Sequence, residues 1–234
     1  MGIKTVKRVF ASVRAIINLA ISEEGFDCSN AFAKTYFPDD DRSNSRQPIS
    51  MEDIRMVQSL CRDTDDEMRW LIALISDTGM RLGEAAGLLK EDIKIDDPIP
   101  YIDLKPHSWR GLKTRGNQRQ ITLVGASLWA AKRVKESSTT SSYGFPRYTS
   151  ATGTNANSAS AAINKWLKPR APGGCVIHSF RHSLSDRLRA VQCPSEMIDQ
   201  IGGWSTASVG RSYGEGYDLK QLSERIKQIE LRKL

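Results

Sequence analysis

Asp77-Thr78-Gly79-Met80-Arg81-Leu82-Gly83-Glu84 sets an arginine directly after a glycine turn and at the start of a short helical pattern running to about Leu89. Upstream, Met68, Leu71, Ile72 and Ile75 recur at helical steps, and that helix should end near Thr78-Gly79. An arginine on such a turn can aim its guanidinium into a cleft. Taken alone it reads more readily as a solvated surface arginine, so its meaning depends on what flanks it.

Working toward the N-terminus, Thr64 followed by Asp65, Asp66 and Glu67 marks the helix start, with acids favoured by the helix dipole. Ser50 with Asp53 three positions on forms a capping box opening a helix through Leu60. From Phe26 to Pro48 periodicity fails, and Pro38 with the Asp39-Asp40-Asp41 run predicts a linker. Before it, Ile3, Val6, Phe10, Val13, Ile17 and Ile21 fall on one face of a helix that Gly25 should stop. Lys4, Lys7, Arg8 and Arg14 lie on its other faces.

Toward the C-terminus, Tyr101–Leu104 and Gln120–Leu123 are short β-prone runs joined by a basic turn from Arg110 through Arg119. Helical patterns return at Ser127–Lys135, Asn157–Leu167, Ser179–Val191 and Ser195–Ile201. The Ser/Thr/Gly-rich stretch between Ser137 and Asn155 predicts an exposed loop. Beyond Asp218, Leu219, Leu222, Ile226 and Ile229 give a narrow apolar stripe on one more helix, which must dock somewhere. The expected fold class is α+β, a mostly helical domain with one small antiparallel sheet. Three segments follow: 1–25, a lone helix; 26–48, a linker; and 49–234, the main domain.

A formal charge of +7 suits a polyanionic partner such as nucleic acid, or belongs to a merely basic soluble protein. Hydrophobic residues at 39% and charged residues at 26% fit a folded chain rather than a disordered one. Cys28, Cys61, Cys175 and Cys193 have no zinc spacing and read as reduced thiols, which points to a cytoplasmic protein. No apolar run of about 18 residues suggests a membrane span, and no signal-peptide core is recognisable. The expected location is with the DNA, at the nucleoid.

Three further segments carry chemistry. In His178-Ser179-Phe180-Arg181 the imidazole and guanidinium are three residues apart and share a helix face. Gly203-Trp204 is followed, nine residues after the Trp, by Tyr213, with Tyr217 a competing candidate. Leu112-Lys113-Thr114-Arg115 lies in the basic turn between strands. Each has a plainer reading by itself: a capping histidine, a packing tyrosine, a solubilising lysine.

In order, these segments resemble the tyrosine recombinase (phage integrase) family from about Ser50 to the C-terminus. Thr78–Glu84 is similar to its first arginine box, and His178–Ser183 to its H-x-L-R-H box with Phe180 in place of the commoner Leu. Trp204 stands where many relatives carry His and some carry Trp. The resemblance implies site-specific DNA recombination by strand cleavage and rejoining through a 3′-phosphotyrosine, without metal or nucleotide cofactor. It implies that Arg81 and Arg181 clamp the phosphate, Trp204 donates to it, Tyr213 attacks, His178 serves as base and Lys113 as general acid. Glu84 could orient Arg81, or could be a solvent-facing helix acid. Arg110, Arg115 and Arg119 are expected on backbone phosphates of double-stranded DNA, and His107 and His182 in structural or DNA-contacting positions. The helix at 1–25 corresponds to the last helix of the family's N-terminal core-binding domain. The resemblance further implies a homo-tetramer on paired sites, linked through the C-terminal tail, with accessory DNA-bending proteins as candidate partners. Two alternatives stay open: a type IB topoisomerase-like relaxase and a DNA-binding module without catalysis.

Overall fold

The computed structural model describes residues 2–38, 48–112, 117–204 and 216–231, and the chain divides into two units, Met1–Ser45 and Arg46–Leu234. In the smaller unit, helix α1 spans Ile3–Glu24 and closes on Gly25 in the left-handed conformation, as the stripe and the glycine predict. The composition after it predicts a linker, yet residues 30–37 fold back over the helix. The Asn30 amide donates to the Arg14 carbonyl at 3.1 Å and to Asn18 at 2.6 Å. Phe10 packs edge-on against Phe32 and Phe37, giving part of the stripe the cover that a lone helix lacks.

The larger unit opens with α2 (Met51–Thr64). The Ser50 hydroxyl accepts from the Asp53 amide at 3.1 Å and donates to its carboxylate at 2.6 Å, which satisfies an amide with no partner inside the helix. Helix α3 (Glu67–Thr78) starts from Asp66 as its cap, and Gly79 ends it at φ 60°. Helix α4 spans only Leu82–Ala86, shorter than its pattern suggests. Leu88 and Leu89 leave the helix to pair with the chain at 143–144, where Gly144 N–H donates to the Leu88 carbonyl at 2.8 Å.

Three strands form one antiparallel sheet in the order β1 (Ile93–Lys94), β2 (Tyr101–Leu104), β3 (Arg119–Thr122). The register sets Ile102 between Ile93 and Ile121, so the apolar face is continuous across the sheet. Helix α5 (Gly125–Glu136) follows. The segment 137–155 is not the exposed loop its composition predicts. It carries the small hairpin of β4 (Thr149–Ser150) and β5 (Gly153–Thr154), buries Phe145 and Tyr148, and ties Thr149 Oγ1 to the Ala86 carbonyl at 2.8 Å. Helices α6 (Ala156–Leu167), α7 (Ser179–Ala190), α8 (Ser195–Gly202) and α9 (Leu219–Gln228) complete the described elements.

Asp77, at the end of α3, holds these helices together. Its carboxylate accepts from Gln58 of α2 at 3.0 Å, the Ala126 amide of α5 at 3.0 Å and Arg187 of α7 at 2.9 Å. Arg187 also donates to the Ser76 carbonyl and, at 2.6 Å, to the Ile229 carbonyl just past α9. Breaking one partner of such a buried pair typically costs about 3–5 kcal/mol. The tail is thereby docked on its own domain: Leu222, Ile226 and Ile229 are buried in one apolar cluster with Leu184, Leu188, Ile198 and Ile201. The amphipathic stripe is confirmed, and in the isolated chain its partner is in cis.

Candidate active site

Four elements converge on one group of charged side chains. Arg81 is the N-cap of α4, with its backbone in extended conformation. Glu84, one turn on, accepts from the Arg81 amide at 3.0 Å and from the Arg81 guanidinium at 2.6 Å. The orienting role is therefore the one the geometry supports; Glu84 is only 4% exposed, which rules out a solvent-facing acid.

His178 caps α7 and Arg181 sits one turn inside it. The Arg181 guanidinium donates to the Gly79 carbonyl at 2.7 Å and lies over the Trp204 ring at 4.3 Å. Its other terminal nitrogen, Nη2, is buried and has no hydrogen-bond partner among the described residues. Burial, then the nearby charges of Arg81 and Arg119, push the Arg181 pKa down to about 10, with Glu84 opposing. It remains a cation at neutral pH, in surroundings that would favour an anion. His178 and His182 rings lie 5.3 Å apart on the same end of α7.

Trp204 is presented by a glycine pair. Gly203 ends α8 at φ 60°, a conformation that side chains rarely adopt, and its carbonyl accepts from Arg81 Nη2 at 3.3 Å. At Gly202 a Cβ would stand 1.8 Å from the Trp204 ring, so the indole can fold over Arg181 only above a residue without a side chain. Gly202 is thus part of the site, although nothing in the sequence beyond the doubled glycine signals it.

Two expected DNA contacts turn inward. Arg110 is 4% exposed: it donates to the Glu84 carbonyl at 2.8 Å and to the Lys105 carbonyl, bracing the root of the hairpin against α4. Arg119 ion-pairs with Glu84 at 3.1 Å and donates to the Ile201 and Asn117 carbonyls. The strand alternation carries the signal for Arg119, which lies on the same side of β3 as buried Ile121. Burial works to raise the Glu84 pKa, but Arg119 and the hydrogen bonds from Arg81 outweigh it and hold the carboxyl below its ordinary value. His107, read as structural or DNA-contacting, stacks on Trp109 and bonds the buried Asp92 at 2.9 Å, a structural position. Lys113, Arg115 and Tyr213 lie outside the described residues. The rival Tyr217 has its backbone clamped by Gln200, whose amide donates to the Tyr217 carbonyl at 2.7 Å and accepts from its N–H at 2.9 Å.

Arg81, Arg181, Trp204 and His178 are therefore brought to the mouth of α4, α7 and α8. Two guanidiniums and an indole around a buried donor that has no acceptor among the described residues, with His178 one turn before Arg181 on α7, can bind and stabilise a phosphoryl group. Among the described residues no cluster of metal-ligating side chains occurs, and no helix is long and apolar enough to cross a membrane.

The profile described as the phage integrase family matches residues 51–218. Curated protein sequences give no match. Among solved structures, the Tn1549 transposon integrase in complex with circular intermediate DNA is similar with a TM-score of 0.61 and 17% identity, over 98% of this chain and 81% of that one. XerA recombinase is similar at 0.51 and 15%, over 93% and 74%. XerH site-specific recombinase bound to its difH substrate is similar at 0.52 and 15%, over 84% and 58%. At these identities the structures establish a shared fold.

Proposed function

Because the chain belongs to the phage integrase family and is a site-specific tyrosine recombinase, we propose that Arg81, Arg181 and Trp204 hold the scissile phosphate while Tyr213 attacks it. The tyrosine oxygen bonds to phosphorus as the bond to the 5′ oxygen breaks. His178 takes the tyrosine proton and Lys113 delivers one to the leaving oxygen. The phosphotyrosine conserves the bond energy, and a 5′-hydroxyl from a partner strand reverses the step to rejoin. The tyrosine needs such a base because its ordinary pKa is about 10.

The single observation carrying this reading is the Nη2 of Arg181, buried without an acceptor among the described residues. A buried guanidinium donor with no acceptor is costly, and a non-bridging phosphate oxygen is an acceptor of the right charge. Arg81 donates beside it, and extra charge develops on those oxygens as the tyrosine attacks.

The substrate is double-stranded DNA, in keeping with relatives solved on DNA. We assign 49–234 as the catalytic domain, 1–25 as a helix of core-binding type and 26–48 as the connection between them. On paired sites α9 would leave its cis position for a neighbouring protomer, giving a tetramer, with DNA-bending proteins as accessory partners and the nucleoid as location. Arg115, together with the turn around it, is retained as a phosphate contact; Arg110 and Arg119 are not.

A nicked suicide substrate, which traps the covalent adduct, tests the reading. Arg181→Met should slow adduct formation by about 10²–10³, the usual effect of removing one donor aimed at developing charge. An unchanged rate would show that the buried guanidinium does not face the reacting phosphate.

A further inference from the structure

We infer that Arg119 is a positioning residue for strand cleavage, holding Glu84 so that this carboxylate orients Arg81 without neutralising the site, and bracing the turn that presents Trp204. The inference rests on the reading of Arg81, Arg181 and Trp204 as the phosphate clamp.

The contacts form a closed ring. Arg119 Nη2 meets Glu84 Oε2 at 3.1 Å, and Glu84 Oε1 meets Arg81 Nη1 at 2.6 Å. Arg81 Nη2 reaches the Gly203 carbonyl at 3.3 Å. Gly203 in turn sits so close to Arg119 that a Cβ there would stand 2.6 Å from Arg119 Nη1. The remaining nitrogens of Arg119 are committed to Ile201 O at 3.2 Å and Asn117 O at 3.0 Å. Its side chain is 6% exposed and its hydrogen bonds to the described residues are all internal, so it acts through its neighbours rather than on substrate.

Charge explains why an arginine is required rather than an apolar brace. Arg81, Arg119 and Arg181 surround one carboxylate, Glu84, which meets Arg81 and Arg119 directly and whose charge opposes theirs at Arg181. Among these four described side chains, three cations against one anion leave a surplus of two positive charges. A phosphodiester brings one negative charge and gains a second as the nucleophile adds, so the surplus matches the transition state. Without Arg119, Glu84 would spend its full charge on Arg81, and the clamp would fall one charge short of its target.

The test compares adduct formation on the nicked substrate for wild type, Arg119→Met, Glu84→Gln and the double variant, with thermal unfolding of each. Arg119→Met is expected to slow cleavage by about 10²–10³ with little change in DNA affinity. The double variant restores the charge surplus and should cleave faster than Arg119→Met alone. A purely structural arginine predicts the opposite, with the double variant as slow or slower, and that result overturns the inference. Arg119→Lys provides a second arm if the Met variant does not fold: the retained charge should leave it well above any charge-free variant, and a rate no better than that of Arg119→Gln contradicts the proposal. Wild-type protein that forms no adduct would instead remove the clamp reading beneath it.

Discussion

At Arg181, burial and the neighbouring cations Arg81 and Arg119 work against the charge the side chain carries, and Glu84 opposes them. The H-x-x-R spacing made Arg181 and His178 legible as a pair, because helix geometry alone puts them on one face. Arg81 was legible from its place after Gly79. Arg110 and Arg119 were misplaced because a basic turn reads as solvent-facing, whereas buried carbonyls and Glu84 supplied acceptors that draw both inward. Glu84 yields a pH prediction. Its folded pKa is lowered, so its contribution to stability is complete above the ordinary glutamate value near 4.3 and is lost as pH falls through the folded value. Replacing it with Gln should flatten the acid limb of a stability profile measured below about pH 4.3. A wild-type-like acid limb in Glu84→Gln would mean that the ion pairs with Arg81 and Arg119 add nothing to the fold.

Among the elements, the helices with caps were readable almost to the residue. Ser50 and Asp53 fix the start of α2, and Gly25 and Gly79 fix the ends of α1 and α3. The two-residue strands β1, β4 and β5 were not, since so short a run has no periodicity to detect. The length of α4 was set by pairing with residues some 55 positions away, which no local pattern contains. Helix α9 was legible as amphipathic, but its partner was not, because a stripe does not name the surface that covers it. In the isolated chain that surface is α7 and α8. Removing Leu219–Leu234 uncovers Leu184, Leu188 and Ile198 and leaves Arg187 without the Ile229 carbonyl. The truncated protein should melt at lower temperature, bind single sites nearly as before, and fail to form higher-order complexes on paired sites in a gel shift. Normal assembly and recombination by the tail-less protein would confine α9 to cis packing.

For the molecule as a whole, the order of the arginine turn, basic hairpin, H-x-x-R and Gly-Trp segments fixed the family before any contact was known. The fold shows what the order accomplishes: the segments carrying Arg81, His178, Arg181 and Trp204 start or end α4, α7 and α8, and the bonds from Arg81 to the Gly203 carbonyl and from Arg181 to the Gly79 carbonyl tie those ends to one another. The net charge of +7 predicts counterion release on DNA binding. With about six phosphate contacts, affinity should fall by roughly 10³ between 50 and 200 mM salt in a fluorescence-anisotropy titration. A flat response would detach the basic surface from DNA binding.

The decisive observable is the residue on which the covalent bond forms. The adduct trapped on a nicked suicide substrate can be digested and the nucleotide-bearing peptide identified by mass spectrometry. The predicted result is modification at Tyr213 and no adduct from Tyr213→Phe, with DNA affinity nearly unchanged. An adduct on Tyr217, or one that persists in Tyr213→Phe, would contradict it.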